Sequence, residues 1–136
     1  MQRTLIRHGI IVVLLGSLSG LVPMAASNPR MGVAAHLAGL LYGLLILGLG
    51  TAWGCVTLAP FQERLAIGLL LWTAYVGWGV TLAAALTGAK SIAPVAGAAS
   101  SGASPLVETA TLLIGATVFL SALVGLGLAL SGTGKK

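Results

Sequence analysis

Four long apolar runs, each close to the length that crosses a bilayer, constrain this chain more than any other feature of its sequence. A hydrocarbon core takes roughly 20 apolar residues per helical crossing. The runs extend from about His8 to Ser27, Val33 to Leu58, Leu65 to Leu86 and Leu106 to Leu130. Asn28, Pro29 and Arg30 separate the first two, Pro60 to Arg64 the middle pair, and a Gly-, Ala- and Ser-rich loop with Pro94 and Pro105 joins the last two. With 57% hydrophobic and 7% charged residues, water is not the main solvent of such a chain. A transmembrane barrel would need alternating polarity over strands of about 10 residues. Runs such as IIVVLLG and LLYGLLILGLG do not alternate. The expected fold is therefore all-α: an integral membrane four-helix bundle, one domain over residues 1–136.

Arg3 and Arg7 ahead of an apolar run, with small residues at MAAS, have the outline of a secretory signal peptide. The run exceeds the roughly 7 to 15 residues of a signal core, and it is read here as a span. Lys and Arg near helix ends favour the cytoplasmic side. With the N-terminus inside, Arg3, Arg7, Arg64, Lys135 and Lys136 are cytoplasmic and only Arg30 and Lys90 face out, so both termini are expected in the cytoplasm. The net charge of +5 then marks topology and contact with lipid headgroups. No nucleic-acid partner is implied, because that role needs a basic patch on a folded soluble surface.

The single Cys55 allows neither a disulfide nor a cysteine metal cluster within one chain, and it is read as a packing residue of the second span. Small residues stand four apart at Gly16 and Gly20, Gly39 and Gly43, and Gly50 and Gly54, a spacing that lets helix backbones approach closely in lipid. Four helices alone enclose little volume, so some of these faces are expected to meet another copy of the chain.

Ionisable and polar groups at membrane depth are the functional candidates. His8, beside Arg7 at the mouth of the first span, is accounted for by the interface. His36 lies about one turn into the second span. Tyr42, six residues on, is about 9 Å deeper and turned away by about 120°. The third span runs the opposite way, placing Tyr75 near mid-membrane and Trp78 in the outer half, and Glu108 enters from the same outer side as His36. A neutral imidazole there suits haem iron or another transition metal, with its second ring nitrogen fixed by a partner. The alternative is a histidine bonded to a backbone carbonyl and nothing more. Glu108 is either an acid group of the site or a carboxylate stabilising a helix N-terminus. Trp78, Asn28 and Arg30 are candidate walls of a substrate pocket, while Trp53 and Trp72 sit at belt positions.

The stretch NPRMGVAAHLAGLLYGLLILGLGTAW, residues 28 to 53, closely resembles the hydroxylaminobenzene mutases, small four-helix membrane enzymes of nitroaromatic degradation. The likeness covers nearly the whole chain and includes TAYVGWGVTLAAALTGA on the third span. More distantly, the pattern AHxxxxxxG, here Ala35, His36 and Gly43, is similar to that of the styrene oxide isomerases. There the motif histidine ligates a b-type haem near the subunit boundaries of a trimer, and ferric iron acts as a Lewis acid on the epoxide oxygen. The chain departs from the wider pattern at Tyr42, where an Asn often precedes the glycine, and at Ala38, where a Glu often follows His-Leu.

The resemblance implies an isomerase of the bacterial cytoplasmic (inner) membrane that rearranges an N-arylhydroxylamine, hydroxylaminobenzene in the simplest case, into a 2-aminophenol. Carried over, His36 is the axial ligand of haem b, Tyr42 and Tyr75 orient the substrate, and the protein is a homo-oligomer, a trimer by analogy. A haem-free version would use Glu108 or His36 as general acid toward the hydroxylamine oxygen. Two other classes compete. A small multidrug exporter has four short helices but couples through a buried glutamate in its first helix, where this chain has no acidic residue. A haem-anchoring respiratory subunit would call for two axial histidines, and His8 and His36 lie toward opposite faces.

Overall fold

The computed structural model of the protein describes all residues except 25, 99, 135 and 136. Residues 25 and 99 fall in the first span and the last loop as read from the sequence. Lys135 and Lys136, counted in the orientation argument, lie outside the described residues. The described residues form five helices and no strand: α1 (Gln2–Ser19), α2 (Pro29–Ala52), α3 (Pro60–Thr87), the single turn α4 (Pro94–Gly97) and α5 (Pro105–Gly132). Tight 3-10 turns at Val22–Met24 and Trp53–Cys55 extend α1 and α2, and four of these units are long and apolar enough to cross a membrane.

The helices begin earlier than the apolar runs. Proline occupies the first turn of α2, α3 and α5, where its missing N–H has no intrahelical partner to lose and its fixed φ suits the helix. The expected starts near 33, 65 and 106 therefore move to Pro29, Pro60 and Pro105, Arg30 and Glu63 become first-turn residues, and Arg64 follows directly. α1 shifts the most. It starts at Gln2 and stops at Ser19, because Pro23 cannot bond back to the Ser19 carbonyl and its ring crowds that position. α2 likewise gives way at Ala52, short of Leu58.

Successive long helices run antiparallel. α1 packs on α2, α2 on α3, and α5 principally on α3, with a smaller contact of α1 on α3. The start of α1 and the end of α5 lie at one end of the bundle, where Gln2 Nε2 donates to the Thr51 carbonyl at 3.5 Å and the Thr57 N–H to the Gly132 carbonyl at 3.0 Å. Leu5, Val12, Ile46, Trp53, Ile67 and Leu70 form the core there. A second core of Met31, Ala84, Ala85 and Ala89 closes the opposite end. The outer surface is apolar. Leu14, Leu18, Leu41, Leu113 and Leu120 are all more than half exposed, and only 22% of the most apolar stretch of α5 is buried, the inverse of a soluble fold.

The α1–α2 contact is made of glycine. A Cβ added to Gly16 would lie 2.6 Å from the backbone of Gly39 and Leu40, one on Gly9 2.7 Å from Leu47 N, and one on Gly43 2.6 Å from Val13. Of the six glycines spaced in pairs, five serve this interface or its end; Gly54, in the 3-10 turn, has open space around it.

Candidate active site

The end of α1 creates the site. The last four carbonyls of a helix have no intrahelical partner, and the Gly20 N–H bonds to the Ser17 carbonyl at 3.1 Å, leaving the Gly16 carbonyl free. Two helices meet at that oxygen and a third reaches it through Ser19. The Ser19 hydroxyl donates to it at 2.7 Å, His36 Nδ1 from α2 lies 2.7 Å away, and Trp78 Nε1 from α3 donates to the Ser19 hydroxyl at 3.3 Å. A carbonyl only accepts, so Nδ1 of His36 carries the proton and, in the neutral ring, Nε2 keeps its lone pair. Among the described residues none hydrogen-bonds Nε2, and it is not sealed in the interior. Gly20 leaves room for the ring, since a Cβ there would lie 3.0 Å from Nδ1.

Tyr42 faces elsewhere. Its ring lies against Gly77, whose added Cβ would be 2.7 Å from Tyr42 Cε2, and it lines a half-open cavity of about 280 Å³ between α2, α3, α5 and the loop at Ile92 and Ala93. The Thr73 hydroxyl in that wall is spent on the Leu69 carbonyl and on Ser121, each at 2.9 Å, and the Thr81 hydroxyl on the Gly77 carbonyl at 2.8 Å. The Tyr42 hydroxyl has no partner among the described residues. Gly77 and Trp78, neighbours on α3, thus face the Tyr42 ring and the His36 junction respectively.

The remaining candidates are dispersed. The Tyr75 hydroxyl pairs with His8 Nδ1 at 2.8 Å, ring edge to ring face at 5.7 Å between centroids. A span that began at His8 would leave it at the interface, but the helix begins six residues earlier. Counted from Gln2 it is about 9 Å into the helix, and that earlier start was the signal for the pair. Both oxygens of Glu108 are occupied by backbone N–H donors of the loop: Lys90 at 3.1 Å to each, Ser91 at 2.9 Å and Ala103 at 3.0 Å. Asn28 is buried and caps α2 by accepting the Met31 N–H at 3.2 Å, while its Nδ2 donates to the Ala96 carbonyl at 3.3 Å. Arg30 is exposed at the rim of a shallow groove with Val33, Leu37 and Val95. The cluster expected in the outer half is therefore divided into a His36–Ser19–Trp78 junction, a Tyr42 cavity, a His8–Tyr75 pair and a loop held by Glu108. Ser19, and the carbonyl of Gly16, were invisible as site groups in the sequence, because a freed backbone acceptor has no residue signature.

Two residues set aside also differ. Cys55 is exposed in the 3-10 turn rather than packed, and Trp53 is buried with Nε1 donating to Glu63 Oε1 at 2.9 Å.

Comparison with known proteins agrees with the sequence motifs. Hydroxylaminobenzene mutase HabB of Ectopseudomonas oleovorans is 38% identical over 104 residues, 75% of this chain and 63% of HabB. Hydroxylaminobenzene mutase HabA of the same organism is 37% identical over 109 residues, 79% of this chain and 80% of HabA. The chain thus spans somewhat less than two thirds of HabB. No solved structure matches significantly. The styrene oxide isomerase family matches residues 1–133, nearly end to end, and it is to this family that the chain belongs.

Proposed function

We propose that the protein is a membrane isomerase that rearranges N-arylhydroxylamines to ortho-aminophenols, with hydroxylaminobenzene and 2-aminophenol as the parent pair. The observation that carries this reading is the state of His36: Nδ1–H is held by the Gly16 carbonyl and Nε2 is left free. The names of the two mutase relatives supply the substrate class.

The reaction breaks the N–O bond, makes a C–O bond at the ortho carbon and returns the displaced ring proton to nitrogen, so nothing is oxidised overall. Hydroxide is a poor leaving group and positive charge develops on the arylamine fragment. Help is therefore needed at the oxygen.

The donor set around His36 fits haem b. With Nδ1–H bonded to a carbonyl, which fixes tautomer and ring plane, His36 would hold the haem iron through Nε2. Ferric haem bound there would supply a Lewis acid for the hydroxylamine oxygen. The protein's own share is orientation. Ser19 and Trp78 brace the carbonyl that holds His36. Tyr42, with its uncommitted hydroxyl, lines a cavity apart from the His36 junction, and in this reading it binds the polar group of an aromatic ring received there. Tyr75 acts, in this reading, only through His8, and Glu108 through the loop it holds. Asn28 shapes the turn before α2, and Arg30 borders the groove beside it.

We assign a homo-oligomer, a trimer by family resemblance, in which a second copy of the chain closes the site around the unpartnered Nε2 of His36. The termini are assigned to the cytoplasmic side of the inner membrane by the excess of Arg there, and small arylhydroxylamines reach the bundle from the lipid.

The test is an absorption spectrum of purified protein, oxidised and dithionite-reduced, with a pyridine haemochrome assay, on wild type and His36→Ala. Loss of both pigment and turnover in His36→Ala is the expected result. A colourless but active wild type would overturn the haem assignment, and a His36→Ala variant that keeps pigment and turnover would overturn the site.

A further inference from the structure

The cavity beside Tyr42 has three walls of rigid helix and one of loop. α2, α3 and α5 contribute Tyr42, Gly77 and Gly115, and the fourth side is Ile92 with Ala93. That loop is braced on every side. Glu108 collects the N–H groups of Lys90, Ser91 and Ala103, Asn28 Nδ2 holds the Ala96 carbonyl, and the Ser100 hydroxyl donates to the Gly88 carbonyl at its base. Gly88 itself turns the chain out of α3 in the left-handed region, φ 79°, which favours glycine.

Ile92 is laid across Gly115 of α5. A Cβ on Gly115 would meet both Cγ1 and Cδ1 of Ile92 at 3.1 Å, a distance at which the flexible end of the isoleucine must give way. The glycine lets the side chain lie low against the helix, and any Cβ there would shift Ile92, which lines the same cavity as Tyr42, by a few tenths of an ångström. An apolar cavity of about 150 Å³ accommodates benzene. About 280 Å³ with one uncommitted hydroxyl fits a single substituted ring carrying one polar nitrogen or oxygen group.

We propose that Ile92 and Gly115 together gauge the ring admitted to the Tyr42 cavity, making them specificity-determining residues for monocyclic aromatic amines and hydroxylamines. The proposal deepens the isomerase reading and rests on it for the reactive group, but the gauge is a property of the cavity and is readable without turnover.

The experiment uses the full-length protein in lipid nanodiscs and measures binding of aniline, 4-methylaniline and 4-tert-butylaniline, which share the ring but have no N–O bond to break. Ile92→Ala removes three carbons from the wall, and the affinity ratio of the tert-butyl to the unsubstituted amine is expected to rise at least about 10-fold, the low end for a single methylene in an apolar pocket. Gly115→Ala, a smaller change, lifts Ile92 into the cavity and is expected to move the ratio the opposite way. Tyr42→Phe is expected to weaken all three amines by a similar factor and leave the ratio in place. Ratios unchanged in both Ile92→Ala and Gly115→Ala would overturn the gauge, as would a wild type that binds none of the amines. If the ratios move as expected while the corresponding hydroxylamines are not turned over, the gauge stands and the mutase reading falls.

Discussion

The α1–α2 pair and the α3–α5 pair are both antiparallel contacts between apolar helices, yet they are held together by different means. In the first, Gly9, Gly16, Gly39 and Gly43 bring backbone against backbone. In the second, Leu70 lies over Gly125 and the Thr73 hydroxyl reaches Ser121 at 2.9 Å, so side chains keep the helices apart. Lipid is as apolar as leucine, which leaves close packing and interhelical hydrogen bonds as the forces of association. The close pair has no room for a ligand between its axes but positions a backbone carbonyl against His36. The spaced pair positions nothing so tightly and leaves the Tyr42 cavity. Rigidity and volume, both needed by a site that must hold a ligand and admit a ring, are thus assigned to different helix pairs.

The largest effect is expected where the contact is closest. Gly39→Leu would drive a side chain into the Gly16 backbone and the Trp78 ring, and no relaxation short of separating α1 from α2 accommodates it. Loss of monodisperse protein on size exclusion is the expected outcome. By contrast Gly125→Ala meets the side chains of Leu70, Cγ at 3.1 Å and Cδ2 at 3.2 Å, and Leu69 rather than backbone, and is expected to remain folded, with a cost of about 1–3 kcal/mol at most. Equal tolerance of the two substitutions would remove the distinction between the pairs.

An intermediate effect is expected from Glu108→Ala. Three loop N–H groups lose their acceptor at once, so the segment between α3 and α5 should become several-fold more sensitive to protease while the His36 junction, on other helices, is untouched. Limited proteolysis checks the first part and the absorption spectrum the second. A loss of turnover with the loop still protected would instead return Glu108 to the role of acid group. The smallest effect belongs to Thr73→Val, which deletes the hydroxyl contact to Ser121. Interhelical bonds in membranes average about 0.6 kcal/mol, and a double-mutant cycle with Ser121→Ala should recover a coupling of about that size.

Much of the fold was legible in local sequence. The apolar runs placed the starts of α2, α3 and α5 to within five residues, the prolines read as breaks being the first residues of those helices, and the spacing of Gly16, Gly39 and Gly43 marked faces fit for close backbone packing. His36 stood out because an imidazole in an apolar span is costly unless it has a partner. The other site residues were named but wrongly grouped. A soluble amphipathic helix announces its inward face by a polar stripe on the other side. These spans are apolar all round, so nothing in them states how each is rotated about its axis. Rotation decides that Tyr75 meets His8, that Tyr42 looks toward α5, and that Glu108 is taken up by the loop.

By itself, then, the sequence determined an all-helical chain with four membrane-length spans, their breaks and the histidine at issue, because hydrophobic length, proline geometry and the cost of a buried imidazole are local properties. Tertiary structure alone decided which groups share a site. The acceptor that orients His36 is a backbone carbonyl released by the end of α1, and the cavity beside Tyr42 exists only because α3 and α5 are held apart. Neither is a property of any residue until the helices have packed.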